Sequence, residues 1–209
     1  MIVETFPVGA LACNCTVLGD PQSGEAIVID GGDDVPAIAE RLARHGLRPR
    51  YLVHTHAHFD HIAALGPLRE RVGGEGLLHP ADRPLYAALA QQGRWMGLTL
   101  TPTTLDGDLV DDDVLRAGAI ALRCLHTPGH TPGSTSFALE VDGSTTLFTG
   151  DTLFRGAVGR WDLGGTSLED IVRSIRERLL VYGDEVPVVP GHGPGTTIGT
   201  ERVANPYLR

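Results

Sequence analysis

Short apolar runs separated by polar turns open the chain and predict strands. The first three runs lie at 2–6, 15–18 and 26–29, and the polar segment GDPQSGE joins the second to the third. Apolar runs of this length between turn-forming residues are typical of strands, and a short polar connection between two of them favours a hairpin. Another short buried strand is expected at 51–53, where the sequence reads YLV.

A helical period appears between these strands. Val35 and Ile38 begin a series of apolar positions spaced three and four residues apart, and Gly46 follows the end of the series. This spacing predicts an amphipathic helix that ends at the glycine. Two more helices are expected at 62–68 and 81–92.

Further strands and helices are expected along the rest of the chain. Ser167 is followed three residues later by Asp170, which is a helix-start signal. We also expect Thr200 to begin a terminal helix. The remaining strands are expected at 76–79, 120–125, 136–141, 145–148 and 186–190.

The order of these elements predicts the fold class. Two regions rich in strands, each accompanied by helices, are typical of two sheets whose outer faces are covered by helices. We therefore predict an α/β fold of four layers, arranged αββα. No linker, low-complexity segment or short repeat divides the sequence, so residues 1–209 are expected to form a single domain.

The charge and the basic residues exclude several classes of function. Asp and Glu number 26 against 17 Lys and Arg, which gives a net charge of −9, so nucleic acid would be repelled rather than bound. All 17 basic residues are arginines. This excludes a phosphate-binding loop that ends in Gly-Lys, a Schiff-base lysine and a lysine general base.

The N-terminal segment and the cysteines indicate a location. Residues 1–13 lack a basic segment followed by a continuous apolar stretch, and no apolar run approaches the ~18 residues of a membrane span. Cys13, Cys15 and Cys124 are too few for a disulfide framework and fit a reducing compartment. We expect a cytoplasmic protein with no membrane partner, while the sequence leaves its oligomeric state open.

Histidines and aspartates follow four of the predicted strands. The segment THAHFDH at 55–61 holds three of the nine histidines, and HTPGHTPGS, FTGD and GHG follow later strands. Strand ends in layered α/β folds can meet at one edge, which is where sites are usually built. The side chains that we expect to meet there are His56, His58, Asp60, His61, His130, Asp151 and His192.

This set of five imidazoles and two carboxylates fits two divalent cations. Zinc prefers such nitrogen and oxygen ligands, and iron or manganese are alternatives. His56 and His58 lie two residues apart in an extended segment and point the same way, while Asp60 and His61 lie where the chain turns toward a second ion. Asp151 is our candidate to bridge the ions. Structural histidines held by hydrogen bonds would not explain seven such residues after four strands.

The ordered motifs THAHFDH, TPGHTPGS, TGD and GHG resemble those of the metallo-β-lactamase superfamily, and within it the glyoxalase-II-like hydrolases. The segment NCTVLGD…AIVIDGG at 14–32 resembles the opening of the same family. The resemblance supports the predicted fold and implies a ligand set. In this set metal one is held by His56, His58 and His130, metal two is held by Asp60, His61 and His192, and Asp151 bridges the two.

The resemblance implies two possible activities. Glyoxalase-II-like enzymes hydrolyse thioesters such as S-acylglutathione, whereas persulfide dioxygenases use one ferrous ion and oxygen, and the GRWD segment at 159–162 resembles a sequence that both share. β-Lactamases of the family usually carry cysteine or serine where Asp151 stands and are exported. Only residues 193–209 follow His192, which resembles the short bacterial members that lack the glutathione-gripping helical domain. We predict a hydrolase of a small thioester, with a persulfide dioxygenase as the alternative.

In the hydrolase, two cations would lower the pKa of a shared water from ~15.7 toward ~7, and the resulting hydroxide would attack the thioester carbonyl. Asp60 and Asp151 are the residues expected to act in catalysis, with Asp60 as a proton relay. Arg155 and Arg160 are expected near the site, where they could clamp a substrate carboxylate. A structural ion pair between Arg160 and Asp162 is the alternative for that arginine.

Other polar residues near the motifs have structural interpretations. Asp30 either accepts a hydrogen bond from a ligand histidine or caps a turn. His54 and His126 are expected to be packed and hydrogen-bonded. Cys13 and Cys15 are expected to be buried free thiols rather than ligands.

Overall fold

Most of the predicted apolar runs form strands. The computed structural model describes residues 1–163 and 165–209. The strands in these ranges are β1 (Ile2–Val8), β2 (Cys13–Gly19), β3 (Glu25–Ile29), β4 (Arg48–Val53), β5 (Glu75–Leu78), β6 (Gly107–Asp108), β7 (Val114–Ala117), β8 (Ile120–His126), β9 (Thr135–Val141), β10 (Ser144–Gly150), β11 (Leu153–Phe154), β12 (Ala157–Val158), β13 (Pro187–Pro190) and β14 (Thr196–Thr197).

Helices connect these strands and follow them. The α-helices are α1 (Val35–Arg44), α2 (Phe59–Ile62), α3 (Leu65–Val72), α4 (Arg83–Ala87), α5 (Leu89–Trp95), α6 (Leu168–Ser174) and α7 (Ile198–Ala204). A 3₁₀ turn at Pro80–Asp82 precedes α4, and a π-helical turn at Ile175–Leu179 follows α6. Within residues 1–163 and 165–209, no helix has both the length and the apolar character needed to cross a bilayer.

Twelve of the strands form two six-stranded sheets. The first sheet has the order β1-β2-β3-β4-β5-β6, antiparallel from β1 to β3 and parallel from β3 to β6. The second has the order β14-β13-β10-β9-β8-β7. In it β9 is antiparallel to β8 and β10, and β13 is parallel to β10. The strands β8, β10 and β13 therefore end at the same edge.

Alternating side chains along the strands fill three apolar layers. In β3, Val28 packs in the layer that contains residues of α1 and α3, and Ile27 packs in the layer between the two sheets. In β9, Phe137 faces the other sheet, while Ala138 packs in the layer that contains residues of α6 and α7. Helices thus cover the outer face of each sheet, and the predicted four-layer αββα fold is confirmed.

The helix expected at 81–92 is divided at Ala88 into α4 and α5. The backbone of Ala88, at φ −84° and ψ 9°, departs from helical geometry. After this break the side chain of Gln92 donates hydrogen bonds to the carbonyls of Leu85 and Ala57. The break therefore accompanies a contact between α5 and the segment that carries His58.

The helix-start predictions have mixed outcomes. The hydroxyl of Ser167 accepts a hydrogen bond from the backbone N–H of Asp170, as expected for a cap. The terminal helix, in contrast, begins at Ile198 rather than Thr200. The reason is that Thr197 is the capping residue, and its hydroxyl accepts from the backbone N–H of Thr200, which lies in the first turn.

Asp20 links the first sheet to the turn between β7 and β8. Its carboxylate accepts hydrogen bonds from the hydroxyl of Ser23 (2.8 Å) and from the backbone N–H groups of Ala119 (3.0 Å) and Gln22 (3.0 Å). These bonds lower the pKa of Asp20 from 3.8 to about 2. Since the folded-state pKa lies below the unfolded-state value, the stabilisation is present above about pH 4 and is lost as the pH falls toward about 2.

We therefore expect the stability cost of Asp20→Asn to depend on pH. The difference in the free energy of unfolding between the wild type and this variant should be larger at about pH 5 than at about pH 3. Urea denaturation at the two pH values measures this difference. An equal difference at both values would contradict the low pKa.

Candidate metal centre

Strand ends bring the predicted ligands to one edge of the two sheets. The segment after β4 carries His56 and His58, the loop after β8 carries His130, Asp151 follows β10 directly, and His192 follows β13. Asp60 and His61, the two remaining predicted ligands, lie in α2. Six of the seven side chains lie in two adjoining groups of three, and Asp151 lies between the groups.

The first group contains the three histidines His56, His58 and His130. The Nδ1 atom of His58 lies 2.9 Å from Nε2 of His130, which in turn lies 3.2 Å from Nε2 of His56. His56 and His130 are buried, and His58 is half-buried. Three converging imidazole nitrogens of this kind could hold one cation.

The second group contains Asp60, His61 and His192. The Nε2 atoms of His61 and His192 lie 3.2 Å apart, and Oδ2 of Asp60 lies 3.1 Å from Nε2 of His192 and 3.7 Å from Nε2 of His61. His58 still has extended backbone, at φ −70° and ψ 147°, and α2 begins at the next residue. The backbone conformation therefore changes between the ligands of the first group and the two that follow them in the chain.

Asp151 lies between the two groups. Its Oδ1 atom is 3.5 Å from Nε2 of His61 and 3.8 Å from Nε2 of His192. Its Oδ2 atom is 3.6 Å from Nε2 of His130. The carboxylate thus presents one oxygen to each group, which is the position that a bridging ligand requires.

Hydrogen bonds on the far side of each ring fix which nitrogen carries the proton. Nδ1 of His130 donates to the carbonyl of Arg160 (2.7 Å), and Nδ1 of His192 donates to the carbonyl of Leu11 (3.0 Å). A carbonyl can only accept, so Nδ1 carries the hydrogen and Nε2 of the neutral ring has a free lone pair. In both residues that lone pair is directed into the site.

Asp30 orients two further rings. Its Oδ2 atom accepts from Nδ1 of His61 (3.0 Å) and from the hydroxyl of Thr55 (2.7 Å), and that hydroxyl accepts from Nδ1 of His56 (3.1 Å). Asp30 also accepts from the backbone N–H of Thr55 (2.7 Å). Of the two interpretations of Asp30, the structure shows the hydrogen bond to a predicted ligand.

The imidazoles of the first group are neutral at neutral pH. Burial, together with the neighbouring imidazoles, lowers the pKa of His58 and of His130 to about 4, and lowers the pKa of His56 well below its ordinary value. The Nδ1 atoms of His56 and His130 both donate, so the Nε2 atoms of these two neutral rings face one another with their lone pairs at 3.2 Å and repel. A divalent cation among them removes this repulsion, so the donor atoms fit a metal ion.

Asp151 supplies a second observation that fits bound cations. Its Oδ1 atom is buried and has no hydrogen-bond partner among the described residues, and burial raises the pKa of the carboxyl group. A buried oxygen without a partner is costly unless an ion compensates for it. Gly191 leaves room for this oxygen, because a Cβ atom at position 191 would collide with it.

Asp82 is a supporting residue that the sequence analysis missed. Its buried carboxylate accepts from the backbone N–H of Ala57 (2.9 Å), the hydroxyl of Thr131 (2.8 Å) and the backbone N–H of Gly133 (2.6 Å). Asp82 therefore ties the segment of His56 and His58 to the loop of His130. The sequence HPAD at 79–82 offers no spacing signal for this role.

Gln92 holds the same histidine segment from the other side. Its Oε1 atom accepts from the backbone N–H of Phe59 (3.0 Å), and its Nε2 atom donates to the carbonyl of Ala57 (3.1 Å). His58 lies between these two anchored residues. Gln92 was expected only as part of a helix, and its role depends on the break at Ala88.

Asn14 and Cys13 connect β2 to the loop that carries His192. The side chain of Asn14 donates to the carbonyls of Pro190 (2.9 Å) and Gly193 (3.0 Å) on either side of this histidine. Cys13 is a buried free thiol, as expected. Its Sγ atom nevertheless lies 3.5 Å from Nδ1 of His61, a proximity that the sequence did not predict.

The other singled-out residues lie at different distances from the ligands. Arg160 lines the cavity that contains His58, and its guanidinium donates to both oxygens of Asp162 at 2.9 and 3.1 Å. Arg155 lines a separate cavity beside β13 and β14 that contains no predicted ligand among the described residues. His54 is buried and its Nδ1 donates to the carbonyl of His61 (2.8 Å).

The family comparison matches residues 8–197 to the metallo-β-lactamase superfamily. Among curated proteins, a hydroxyacylglutathione hydrolase, GloC, of Haemophilus influenzae is 34% identical over 215 residues. The alignment covers 100% of this chain and 98% of that protein.

Solved structures of the same fold are also similar along the whole chain. The B3 metallo-β-lactamase BLEG-1 has a TM-score of 0.89 at 35% identity, with 99% of each chain covered. A di-iron-bound form of TTHA1623 has a TM-score of 0.84 at 36% identity, covering 98% of this chain and 100% of that chain. ETHE1 from Myxococcus xanthus has a TM-score of 0.82 at 26% identity, covering 99% of this chain and 84% of that chain.

Proposed function

The chain belongs to the metallo-β-lactamase superfamily, and we propose that within this family it is a metal-dependent thioesterase that cleaves a small S-acyl thiol. The main support for the proposal is the position of the Asp151 carboxylate, which presents one oxygen to each of two ligand groups. The similarity to a hydroxyacylglutathione hydrolase over the full chain supports this choice of substrate class.

We propose that two divalent cations are bound, with zinc as the first choice and iron or manganese as alternatives. His56, His58 and His130 would hold one ion, Asp60, His61 and His192 would hold the other, and Asp151 would contact both. When bound, such a pair acidifies water and polarises a carbonyl group. The iron-containing form of TTHA1623 supports iron as an alternative for this chain.

The protein's own residues would orient the reacting groups. Asp60 lines the same cavity as His58, and its Oδ2 atom lies 3.1 Å from Nε2 of His192. From this position the carboxylate of Asp60 would act as the proton relay that the sequence led us to expect. The departing thiolate needs no strong acid, because the pKa of a thiol is near ~8.5.

A covalent mechanism through Cys13 is disfavoured. The thiol is buried, and burial raises its pKa to about 11. A thiol in this state supplies almost no thiolate at neutral pH. The proposed hydrolysis therefore uses water as the nucleophile.

A persulfide dioxygenase is the second candidate. His56, His61 and Asp151 offer two imidazoles and one carboxylate within reach of one another, and this ligand combination is typical of non-haem iron(II) oxygenases. The similarity to ETHE1 favours the same candidate. It differs from the thioesterase in needing one iron and molecular oxygen.

β-Lactam hydrolysis is a further candidate because of the similarity to BLEG-1. The aspartate at position 151 argues against it, since β-lactamases of the family usually carry cysteine or serine there. A chromogenic cephalosporin is the assay that separates this activity from the other two.

Metal analysis and three substrate assays test these candidates together. We expect two metal ions per chain, hydrolysis of S-lactoylglutathione or another short acyl thioester, loss of activity after chelation, and recovery when zinc is returned. One iron per chain with oxygen uptake on glutathione persulfide would select the dioxygenase. Cleavage of the cephalosporin alone would select β-lactam hydrolysis. Either of these two results would reject the thioesterase.

A further inference from the structure

Apolar side chains are exposed around the opening of the metal centre. Trp95 is 76% exposed and Leu163 is 50% exposed, although helix ends and loops in water usually carry polar residues. Clusters of exposed apolar side chains often mark binding sites. The cluster, here called the apolar rim, consists of Leu11, Trp95, Met96, Leu98 and Leu163.

Two cavities connect the apolar rim to the predicted ligands. The first has a volume of about 530 Å³ and is lined by four residues of the rim together with His58 and Asp60. The second, of about 460 Å³, is lined by three residues of the rim together with Asp60. Cavities of this size accommodate small molecules. A substrate that reacts at the ligands would therefore place its neighbouring atoms against the rim.

Apart from the proposed metal ions, the residues that line these cavities offer little to bind an anionic carrier. Arg160 is the one arginine among the described residues that line them, and its guanidinium is paired with both oxygens of Asp162. Asp33, which is not a predicted ligand, lines the second cavity and places a negative charge there. The carboxylates of a carrier such as glutathione would find no unpaired cation among these residues.

We propose that the substrate carries an apolar acyl group that packs on the apolar rim, and that Trp95 is a specificity-determining residue. This inference rests on the proposed thioesterase function. The thioester carbonyl lies at the metal ligands, and the acyl chain extends over Trp95 and Met96. The thiol carrier forms few ion pairs with the protein, so it contributes little to the binding energy. Each methylene group of the acyl chain that packs against the rim is removed from water, and this burial raises kcat/KM for the substrate.

A series of acyl chains on one uncharged carrier tests the inference. With thioesters of N-acetylcysteamine that carry two, four, six or eight acyl carbons, we expect kcat/KM of the wild type to rise about two- to fourfold per methylene up to about six carbons. In Trp95→Ala this dependence should become nearly flat, while the rate on the two-carbon substrate changes little. Val181→Ala is the matched control, because Val181 is 69% exposed and lies outside both cavities.

The outcomes separate this inference from the proposed function. If metal-loaded protein cleaves no thioester of any length, the proposed function fails. If it cleaves all of them with no dependence on chain length, or if Trp95→Ala keeps the wild-type dependence, only the apolar rim is rejected.

Fluorescence gives a readout that does not depend on catalysis. The chain has two tryptophans and four tyrosines, so Trp161→Phe leaves Trp95 as the single tryptophan, which long-wavelength excitation selects over the tyrosines. We expect hexan-1-ol to shift its emission to shorter wavelength, because the exposed indole becomes covered, and ethanol at the same concentration to have no such effect. An unchanged emission with hexan-1-ol would overturn the proposal.

Discussion

Replacing Asp151 with alanine is expected to release both metal ions together and to lower kcat/KM by at least about 10³-fold. One carboxylate oxygen lies 3.5 Å from Nε2 of His61 and the other lies 3.6 Å from Nε2 of His130. Removing the side chain therefore takes a ligand from each group and leaves the cations without their shared counter-charge. Metal content by mass spectrometry and the rate of thioester hydrolysis measure the two effects.

Asp113→Ala serves as the control for the loss of a negative charge. Asp113 is exposed and is not one of the predicted ligands, so this variant should keep its metal and its rate. If Asp151→Ala retained one ion per chain at full occupancy, the bridging position would be wrong and Asp151 would be a ligand to a single ion.

Asp82→Asn is expected to weaken metal binding about 10- to 100-fold, although Asp82 is not a predicted ligand. The carboxylate accepts three hydrogen bonds, from Ala57, Thr131 and Gly133. An amide has one oxygen, so its NH₂ group would face at least one N–H or O–H donor that is left without an acceptor. We expect a loss of about 1–3 kcal/mol in the free energy of unfolding.

The metal affinity of Asp82→Asn shows whether Asp82 positions the metal ligands or only stabilises the fold. Competition with a chromophoric chelator, under conditions where each variant is fully folded, measures this affinity. Asp20→Asn is the matched control, because it removes a carboxylate that also accepts three hydrogen bonds but lies at the opposite end of β2 from Cys13. The positioning role is rejected if both variants bind metal as tightly as the wild type.

The predicted ligands could be found in the sequence because they occur in polar segments that follow apolar strands. A strand such as β4 is recognisable from its composition, and His56 and His58 follow it within five residues. Strands that end at one edge bring such residues together even when the chain separates them widely. The four-layer fold was predictable from the order of the elements, since two strand-rich regions accompanied by helices are typical of two sheets with helices on their outer faces.

The supporting residues could not be predicted in the same way. Asp82 and Gln92 act on backbone groups of the histidine segment, and their positions depend on how α4 and α5 pack. The carbonyls that fix the rings of His130 and His192 belong to Arg160 and Leu11. Every residue has a backbone carbonyl, so the sequence does not show which ones accept these hydrogen bonds. These features depend on tertiary geometry.

The helix break at Ala88 shows the limit of periodicity. Residues 81–92 have the composition of one helix, and their apolar positions do not indicate where the backbone changes direction. The break is associated with two hydrogen bonds of Gln92, to the carbonyls of Leu85 and Ala57. A contact between segments far apart in the chain therefore accompanies a local conformation that intrinsic preference alone would not favour.

Anomalous X-ray scattering from crystals of the zinc-loaded protein would locate the two proposed cations. We predict two peaks about 3.5–4 Å apart, one within about 2.0–2.2 Å of nitrogen atoms of His56, His58 and His130, and the other at the same distance from Asp60, His61 and His192. One oxygen of Asp151 should contact each peak. The absence of any peak at these side chains, with zinc, iron and manganese each supplied in excess, would show that they do not form the proposed metal centre.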